Sequence, residues 1–200
     1  MIAAACAGCG DSRWAVCPNC LDAMKPAGPI SVRGARSAAG VVAYEGTARA
    51  LVLAAKGQSG RGLLRWWADA IAADSPDDID LVSWVPASRS GRRWRGHDQG
   101  RVLASAVARR LGRRSLQTLR RPTDDTQRGA HRLQRSEIEM KPVRALGGES
   151  VLLIDDVYTT GASCGVASRM LLQAGARRVD VRVMAVVARS GADPTTEGVQ

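Results

Sequence analysis

The sequence predicts an α/β fold in which helices flank a parallel β-sheet, and three observations lead to this prediction. The chain has 200 residues, of which 45% are hydrophobic, and this is enough to fill the core of one domain. Short apolar runs typical of buried strands recur along it, and most are separated by longer segments with helical periodicity. Such alternation is typical of a parallel sheet, so we expect ligands at the carboxyl ends of its strands.

The first half of the predicted fold is defined by apolar periodicity and by turn-forming residues. The first strand is a short apolar run, and the second is ended by Pro86 because proline lacks the N–H that a strand ladder needs. The longer helix between them has a continuous apolar face. The predicted elements are a strand at Gly40–Tyr44, helices at Thr47–Lys56 and Gly60–Ala73, and a strand at Ile79–Val85.

The second half contains the most apolar strands and one long polar segment. A helix is predicted where Val102, Leu103, Ala106 and Val107 recur on one face, and Gly112 ends it. Residues 121–148 are charged and lack periodicity, which predicts a long mobile loop, and such loops are usually functional. The predicted elements are a helix at Asp98–Leu111, a short strand at Leu116–Leu119, a buried strand at Val151–Ile154, a helix at Ala162–Ala174 and a last strand at Val179–Val187.

Residues 1–25 are rich in cysteine and are predicted to form a small module. Two Cys-x2-Cys pairs are separated by seven residues, a spacing that can close a tetrahedral Zn²⁺ site. A segment this short has no core of its own, so the metal would supply its folding free energy. Two redox-active thiol pairs or an iron–sulfur cluster on the same ligands are the alternatives. The four candidate metal ligands are Cys6, Cys9, Cys17 and Cys20.

Proline and glycine separate this module from the rest of the chain. Pro26, Gly28, Pro29 and Gly34 make residues 26–38 a predicted linker, followed by the main domain at 39–190 and a tail at 191–200. No apolar run reaches the ~18–20 residues of a membrane span. We therefore expect a cytoplasmic protein, in which cysteines are reduced or metal-bound. Cys164 is expected to be a small packed residue.

The most specific signal in the chain is the run VLLIDDVYTTGAS at Val151–Ser163. A buried strand is followed by Asp155 and Asp156, and then by a loop of small, hydroxylated residues that opens a helix. The N–H groups and positive dipole end of a helix N-terminus suit a phosphate group, and Gly161 lets the backbone approach it. Carboxylates repel phosphate, but they can accept hydrogen bonds from ribose hydroxyls and stabilise positive charge on a sugar ring.

Two other interpretations of this run remain open. The carboxylates could be a solvated pair above an ordinary capped helix, or they could bind Mg²⁺ for phosphoryl transfer. The run nevertheless resembles the signature of type I phosphoribosyltransferases over 13 contiguous residues. The resemblance implies a fold of that type and a site for 5-phosphoribosyl-1-pyrophosphate (PRPP) with Mg²⁺. It implies that Asp155 and Asp156 are catalytic and that the donor is bound by Val157, Thr159, Thr160, Gly161, Ala162 and Ser163.

Over nearly its full length the chain resembles ComF-type proteins, which are linked to DNA uptake in competent bacteria. This resemblance implies that Pro86, Ala87 and Ser88 bind pyrophosphate with nearby arginines such as Arg95, and that Lys56 contacts the ligand. The sequence departs from the family pattern at Gly57, His97, Asp98 and Ile138, on the pyrophosphate and acceptor side. The residues that carry the resemblance are the four cysteines, Lys56-Gly57, Val85-Pro86, Arg95–Gln99, Gln127, Arg135 and Val151–Ser163.

The positive charge of the chain is concentrated in one stretch. The net charge is +10, and residues 89–135 hold 14 arginines against three aspartates. Such a field attracts phosphates, pyrophosphate or nucleic acid, although a solvated arginine-rich surface is the simpler explanation. The predicted function is transfer of phosphoribose from PRPP to an unidentified nitrogen acceptor. The alternative is a non-catalytic module that senses PRPP or a nucleotide, or that binds single-stranded DNA through these arginines and Trp94.

Overall fold

The computed structural model describes residues 5–11, 14–57, 61–87, 98–122 and 138–188. Strands and helices alternate along most of this part of the chain, as the apolar periodicity predicts. The strands are β1 (Ser37–Ala43), β2 (Leu81–Trp84), β3 (Arg114–Ser115), β4 (Leu119–Arg120), β5 (Lys141–Pro142), β6 (Ser150–Tyr158) and β7 (Arg178–Val186). The helices are α1 (Pro18–Asp22), α2 (Gly46–Ala55), α3 (Arg61–Ala73), α4 (Gln99–Leu111) and α5 (Ala162–Gln173).

Five of the strands form one parallel sheet in the order β1-β7-β6-β2-β3. Helices α2, α3 and α4 pack against one face, where Leu51, Trp67 and Leu103 are buried. Helix α5 packs against the other face through Ala167 and Leu171. The predicted fold class, a parallel sheet with helices on both faces, is therefore confirmed.

The central strand of the sheet is β6, which pairs with β7 on one side and with β2 on the other. Its side chains alternate between the two layers, because successive residues of a strand point to opposite faces. Val151 and Leu153 lie in the α5 layer, and Leu152 and Ile154 lie in the layer of α2, α3 and α4. Burial on both faces explains why this strand is a continuous apolar run rather than an alternating one.

The structure corrects three predicted boundaries. Strand β6 extends past Ile154 because Asp155, Val157 and Tyr158 continue to pair with β7, so the two aspartates lie within the strand rather than after it. The predicted strand Leu116–Leu119 is wrong, since pairing places β3 before it and β4 at its end.

The predicted loop at 121–148 is also ordered in part. Lys141 and Pro142 pair with β4, and Met140 is buried. Residues 123–137 of this segment, and the predicted tail, lie outside the described residues.

A group of ion pairs lies at the amino ends of the strands. Asp180 is fully buried and accepts hydrogen bonds from Arg36 Nε at 3.0 Å, Arg36 Nη2 at 3.0 Å and Ser37 Oγ at 2.6 Å. Arg182 Nε lies 2.9 Å from Asp74 Oδ2. Arg178 also pairs with Asp78. We call these seven residues the amino-edge network, since they lie at the edge of the sheet opposite to the carboxyl ends of β2 and β6.

The cysteine-rich segment packs onto the main domain. Its buried cysteines belong to the same apolar cluster as Val42 and Ala48, and Lys25 forms an ion pair with Glu45 at 2.8 Å. None of the helices in the described part of the chain combines the length and the apolar character needed to cross a membrane.

Candidate functional site

The two aspartates near the carboxyl end of β6 point to opposite faces of the sheet. Asp155 Oδ2 lies 3.5 Å from the thiol of Cys164 on α5. Asp156 Oδ2 lies 2.7 Å from Lys56 Nζ, at the end of α2. The alternation of the strand therefore places one carboxylate beside each layer of helices, while both remain at the same edge of the sheet.

The environment of Asp155 favours its protonated form. Burial, with the neighbouring negative charge of Asp156, raises the pKa of Asp155 to about 7. Burial also raises the pKa of the Cys164 thiol. The thiol therefore stays protonated and donates a hydrogen bond to Asp155. Cys164 is buried, as predicted for a packed residue, but its contact with a site carboxylate was not predicted.

The turn between β6 and α5 has a shape that requires glycine. Gly161 has a φ of +74°, and a Cβ at this position would lie 2.6 Å from the ring of Tyr158. The ring is held by its hydroxyl, which donates to Ser31 O at 2.9 Å. Thr160 Oγ1 accepts a hydrogen bond from the N–H of Ala162 at 3.4 Å, at the start of α5. A tight turn thus leads from the carboxylates into the first turn of a 12-residue helix.

A cavity of about 230 Å³ lies at the carboxyl ends of β2 and β6. It is at the edge of the sheet where the parallel topology predicts a ligand site. Six residues predicted from the sequence to bind the donor or to act on it line this cavity: Pro86, Ala87, Asp155, Asp156, Val157 and Ser163.

The remaining predicted donor-site residues are not among those that line the cavity. Lys56 contacts the site through its ion pair with Asp156. Thr159, Thr160, Gly161 and Ala162 form the turn that follows the cavity wall. Ser88, Arg95 and the proposed stacking residue Trp94 lie outside the described residues. Their predicted roles stay predictions.

The cavity has a second wall, part of which belongs to the stretch Arg95–Gln99 that carries the family resemblance, although no binding role was predicted for the residues of this wall. It is made by Asp98, Gln99 and Gly100 at the start of α4, and by Arg121. Asp98 caps the helix by accepting from the N–H of Arg101 at 3.4 Å, and it accepts from Trp84 Nε1 at 3.2 Å. Arg121 Nε donates to Pro86 O at 2.8 Å. The available signal was positional, because α4 is the helix that follows β2 and begins at the same edge of the sheet.

The four cysteines of the N-terminal module come together as predicted. Their Sγ atoms all lie within 4.8 Å of one another, and the Sγ atoms of Cys9 and Cys17 are 3.5 Å apart. Tetrahedral Zn–S bonds of about 2.3 Å imply Sγ–Sγ distances of about 3.8 Å. No described cysteine forms a disulfide. The donor set and its spacing therefore fit a metal ion such as Zn²⁺.

The surroundings of Cys6 favour a thiolate at this position. Burial alone would raise the pKa of the Cys6 thiol, but hydrogen bonds from the backbone at Cys17, Cys9 and Gly8 outweigh it and lower that pKa to about 6. The N–H of Cys17 lies 3.3 Å from Cys6 Sγ. Backbone donors of this kind stabilise the deprotonated form that a metal requires.

No protein-family profile matches the chain, and no curated protein sequence matches it. Among solved structures, it is similar to the allosteric regulatory enzyme of purine biosynthesis (20% identity, TM-score 0.48) and to glutamine phosphoribosylpyrophosphate amidotransferase from B. subtilis (19% identity, TM-score 0.46). Each alignment covers 66% of this chain and 30% of the other.

Purine phosphoribosyltransferase from Pyrococcus horikoshii is also similar, with 17% identity and a TM-score of 0.41, over 62% of this chain and 73% of the other. The chain spans less than a third of the length of the first two of these structures. With TM-scores below 0.5, these likenesses do not by themselves assign a family, and the function has to be inferred from the cavity and its residues.

Proposed function

We propose that this chain binds PRPP with Mg²⁺ in the cavity and transfers phosphoribose to a nitrogen nucleophile. One observation carries the proposal. Two adjacent carboxylates stand at the carboxyl end of the central parallel strand, beside the cavity and immediately before a glycine turn that opens a helix. This order places acceptors for sugar hydroxyls next to donors for a phosphate group.

The proposal divides the ligand among three parts of the site. The turn from Thr159 to Ser163 binds the 5-phosphate through N–H groups and hydroxyls. Asp155 and Asp156 accept hydrogen bonds from the ribose hydroxyls. Pro86–Ser88 and the neighbouring wall bind the pyrophosphate, with Lys56 close enough to neutralise Asp156.

Transfer breaks one bond and forms another at C1 of the ribose. The bond from C1 to the pyrophosphate oxygen breaks, and its electron pair leaves with pyrophosphate. The nitrogen lone pair forms the new bond to C1, and the proton lost by the nucleophile passes to water. Positive charge develops on the sugar ring between these events, and the carboxylates stabilise it.

A magnesium ion accompanying the donor would neutralise the leaving pyrophosphate. Mg²⁺ keeps several waters and binds through one or two carboxylates together with substrate phosphates. Because the two aspartates are assigned to the ribose hydroxyls, the ion would keep its waters, and the buried amide of Gln99 in the cavity wall is a polar group that suits a hydrated ion.

Replacing both carboxylates should weaken donor binding. Asp155→Asn with Asp156→Asn should lower the affinity for PRPP with Mg²⁺ by at least about 2 kcal/mol, roughly 30-fold, because charge-assisted hydrogen bonds contribute about 1.5–3 kcal/mol each. Calorimetric titration measures the loss. The matched control is Asp69→Asn, which removes an exposed carboxylate on α3 and should leave the affinity unchanged. Equal affinity of the double variant and the wild type would show that the donor site has been misplaced.

Turnover separates the proposed transferase from the alternative module. Isotope-labelled PRPP should yield labelled glycoside with at least one member of a panel of nucleobases and amines. Binding without any turnover would favour a sensor of PRPP or of a nucleotide. Of the arginines predicted to contact single-stranded DNA, Arg110 pairs with Asp69 and Arg113 Nη2 lies 3.3 Å from Asp77 O, so no described contact favours the DNA-binding form of that alternative.

A further inference from the structure

The side-chain amide of Gln99, the first residue of α4, is buried in the cavity wall and has no hydrogen-bond partner among the described residues. Only 4% of its surface is exposed, and it lines the cavity. Neither Nε2 nor Oε1 of its amide has a partner in the described part of the chain. A buried amide in this state costs free energy, and native structures rarely leave that cost uncompensated unless a ligand or a bound water completes the group.

The position of Gln99 is set by close packing rather than by its own polar contacts. A Cβ on the next residue, Gly100, would lie 3.2 Å from Trp84 Cδ1 and 3.4 Å from Val85 O. The start of α4 therefore packs directly against the end of β2. Gln99 therefore lines the same cavity as Pro86 and Ala87, where the pyrophosphate is expected.

This wall differs in charge from the wall formed by the two aspartates. It combines the positive dipole end of a 13-residue helix with the guanidinium of Arg121. The carboxylate of Asp98 accepts hydrogen bonds from Trp84 Nε1 and from the backbone N–H of Arg101. An anionic part of a ligand is therefore favoured on the Gln99 side of the cavity, and a hydroxylated part on the side of Asp155 and Asp156.

The amide needs two kinds of partner at once. A phosphate oxygen can accept from Nε2, but it has no proton to donate to Oε1. A water held by Mg²⁺ can donate to Oε1, and Mg²⁺ retains several waters when it binds phosphates. The ribose hydroxyls could also donate, but the two carboxylates on the opposite wall are placed to receive those protons.

We propose that Gln99 is a binding residue for the hydrated Mg–pyrophosphate end of the donor, with Nε2 donating to a phosphate oxygen and Oε1 accepting from a metal-bound water. The inference rests on the proposed function and deepens it. Gln99 would then strengthen the binding of PRPP but not the binding of ligands that have the phosphoribose part alone.

The test compares ligands with and without pyrophosphate on Gln99→Met, which keeps the length of the side chain and removes its polar atoms. Calorimetry should show binding of PRPP with Mg²⁺, and of pyrophosphate with Mg²⁺, weakened at least about tenfold. Ribose 5-phosphate should bind within about twofold of the wild type. The Tm should stay the same or rise, because replacing an unpartnered buried amide by an apolar group of similar shape is neutral or stabilising. Gln173→Met, at the exposed end of α5, is the matched control.

Each other outcome has a definite meaning. A lower Tm with equal loss of both kinds of ligand would assign Gln99 a structural role and overturn the inference, as would unchanged binding of PRPP. Gln99→Glu should weaken PRPP binding at least as much as Gln99→Met. Tighter binding by Gln99→Glu would mean that a cation meets this side chain directly, which also overturns the inference. A wild-type protein that binds neither PRPP nor ribose 5-phosphate would instead refute the proposed function itself.

Discussion

Asp155 is the residue whose chemistry depends most on its surroundings. The side chain has an ordinary pKa of 3.8, and burial with the charge of Asp156 raises it to about 7. Asp156 forms an ion pair with the ammonium of Lys56, 2.7 Å away, whereas Asp155 accepts hydrogen bonds from the N–H of Asp156 at 2.9 Å and from the thiol of Cys164 at 3.5 Å. Burial and the charge of the neighbouring carboxylate thus favour the protonated form of Asp155.

The raised pKa has a consequence for stability. Between about pH 4 and about pH 7 the folded state keeps a proton on Asp155 that the unfolded state has lost, so the free energy of unfolding falls as the pH rises through this window. Asp155→Asn should remove that contribution. Urea denaturation of both proteins at about pH 5 and about pH 8 should show a smaller decrease for the variant. All other titratable groups are the same in both proteins, so the comparison isolates Asp155. Identical decreases would show that Asp155 has an ordinary pKa.

At the scale of elements, the cysteine module depends on close packing as much as on its ligands. Gly8 lies between Cys6 and Cys9 in the sequence, and a Cβ at this position would lie 2.7 Å from Cys20 Sγ. Burial raises the pKa of the Cys20 thiol to about 12, so a metal ion is needed to hold this sulfur as a thiolate. A displaced sulfur cannot complete the tetrahedron.

Gly8→Ala should therefore lose metal although all four ligands remain. Metal analysis of protein purified without chelator should find about one Zn²⁺ per chain in the wild type and clearly less in the variant. Gly28→Ala is the matched control, because a Cβ at Gly28 meets nothing within 4 Å among the described residues. Full zinc content in Gly8→Ala, or none in the wild type, would contradict this account of the module.

At the scale of the whole molecule, the two edges of the sheet differ, since one lines a cavity and the other carries ion pairs. The carboxyl ends of β2 and β6 form the cavity, whereas the amino-edge network joins β7 to the segments that precede β1 and β2. Asp180 is fully buried and accepts hydrogen bonds from three donor groups, Nε and Nη2 of Arg36 and the hydroxyl of Ser37. Removing its charge would leave Arg36 without its main partner.

Asp180→Asn should destabilise the fold by about 3 kcal/mol, since breaking a buried ion pair from one side is strongly destabilising. The exposed pair between Arg110 and Asp69 gives the contrast, and Asp69→Asn should cost less than about 1 kcal/mol. Urea denaturation measures both free energies. Donor affinity at a temperature where each variant is folded should match the wild type. A loss of affinity in Asp180→Asn would show that the two ends of the sheet are not independent.

The sequence predicted those parts of the molecule that local pattern determines. Helices α2 to α5 follow from apolar periodicity and β6 from a continuous apolar run, whereas the aspartates, the glycine turn and the cysteine pairs are contiguous motifs. The errors lie where pairing is non-local. Strand β5 contains a lysine and a proline, residues disfavoured in strands, and it exists because Lys141 pairs with Arg120 across the segment between them. The extension of β6 through Tyr158 depends likewise on β7.

The same limit applies to the cavity. The β6 wall could be predicted because its chemistry and its position occur in one run of sequence. The opposite wall could not, because Gln99 becomes distinctive only when burial and the absence of described partners are both known. Arg121 is one of many arginines in its segment, and only its hydrogen bond to Pro86 O singles it out.

The length of β6 also bears on how this chain can change over evolution or in the laboratory. Asp155 and Asp156 follow Ser150, at the beginning of the strand, by five and six residues, about 17–20 Å at ~3.3 Å per residue. Substitutions at the amino edge can therefore raise heat resistance without altering the groups that meet a ligand. The added free energy of unfolding can then offset destabilising substitutions around the cavity, such as those that admit a new acceptor. In protein engineering, stabilising substitutions at the amino edge should therefore precede substitutions around the cavity.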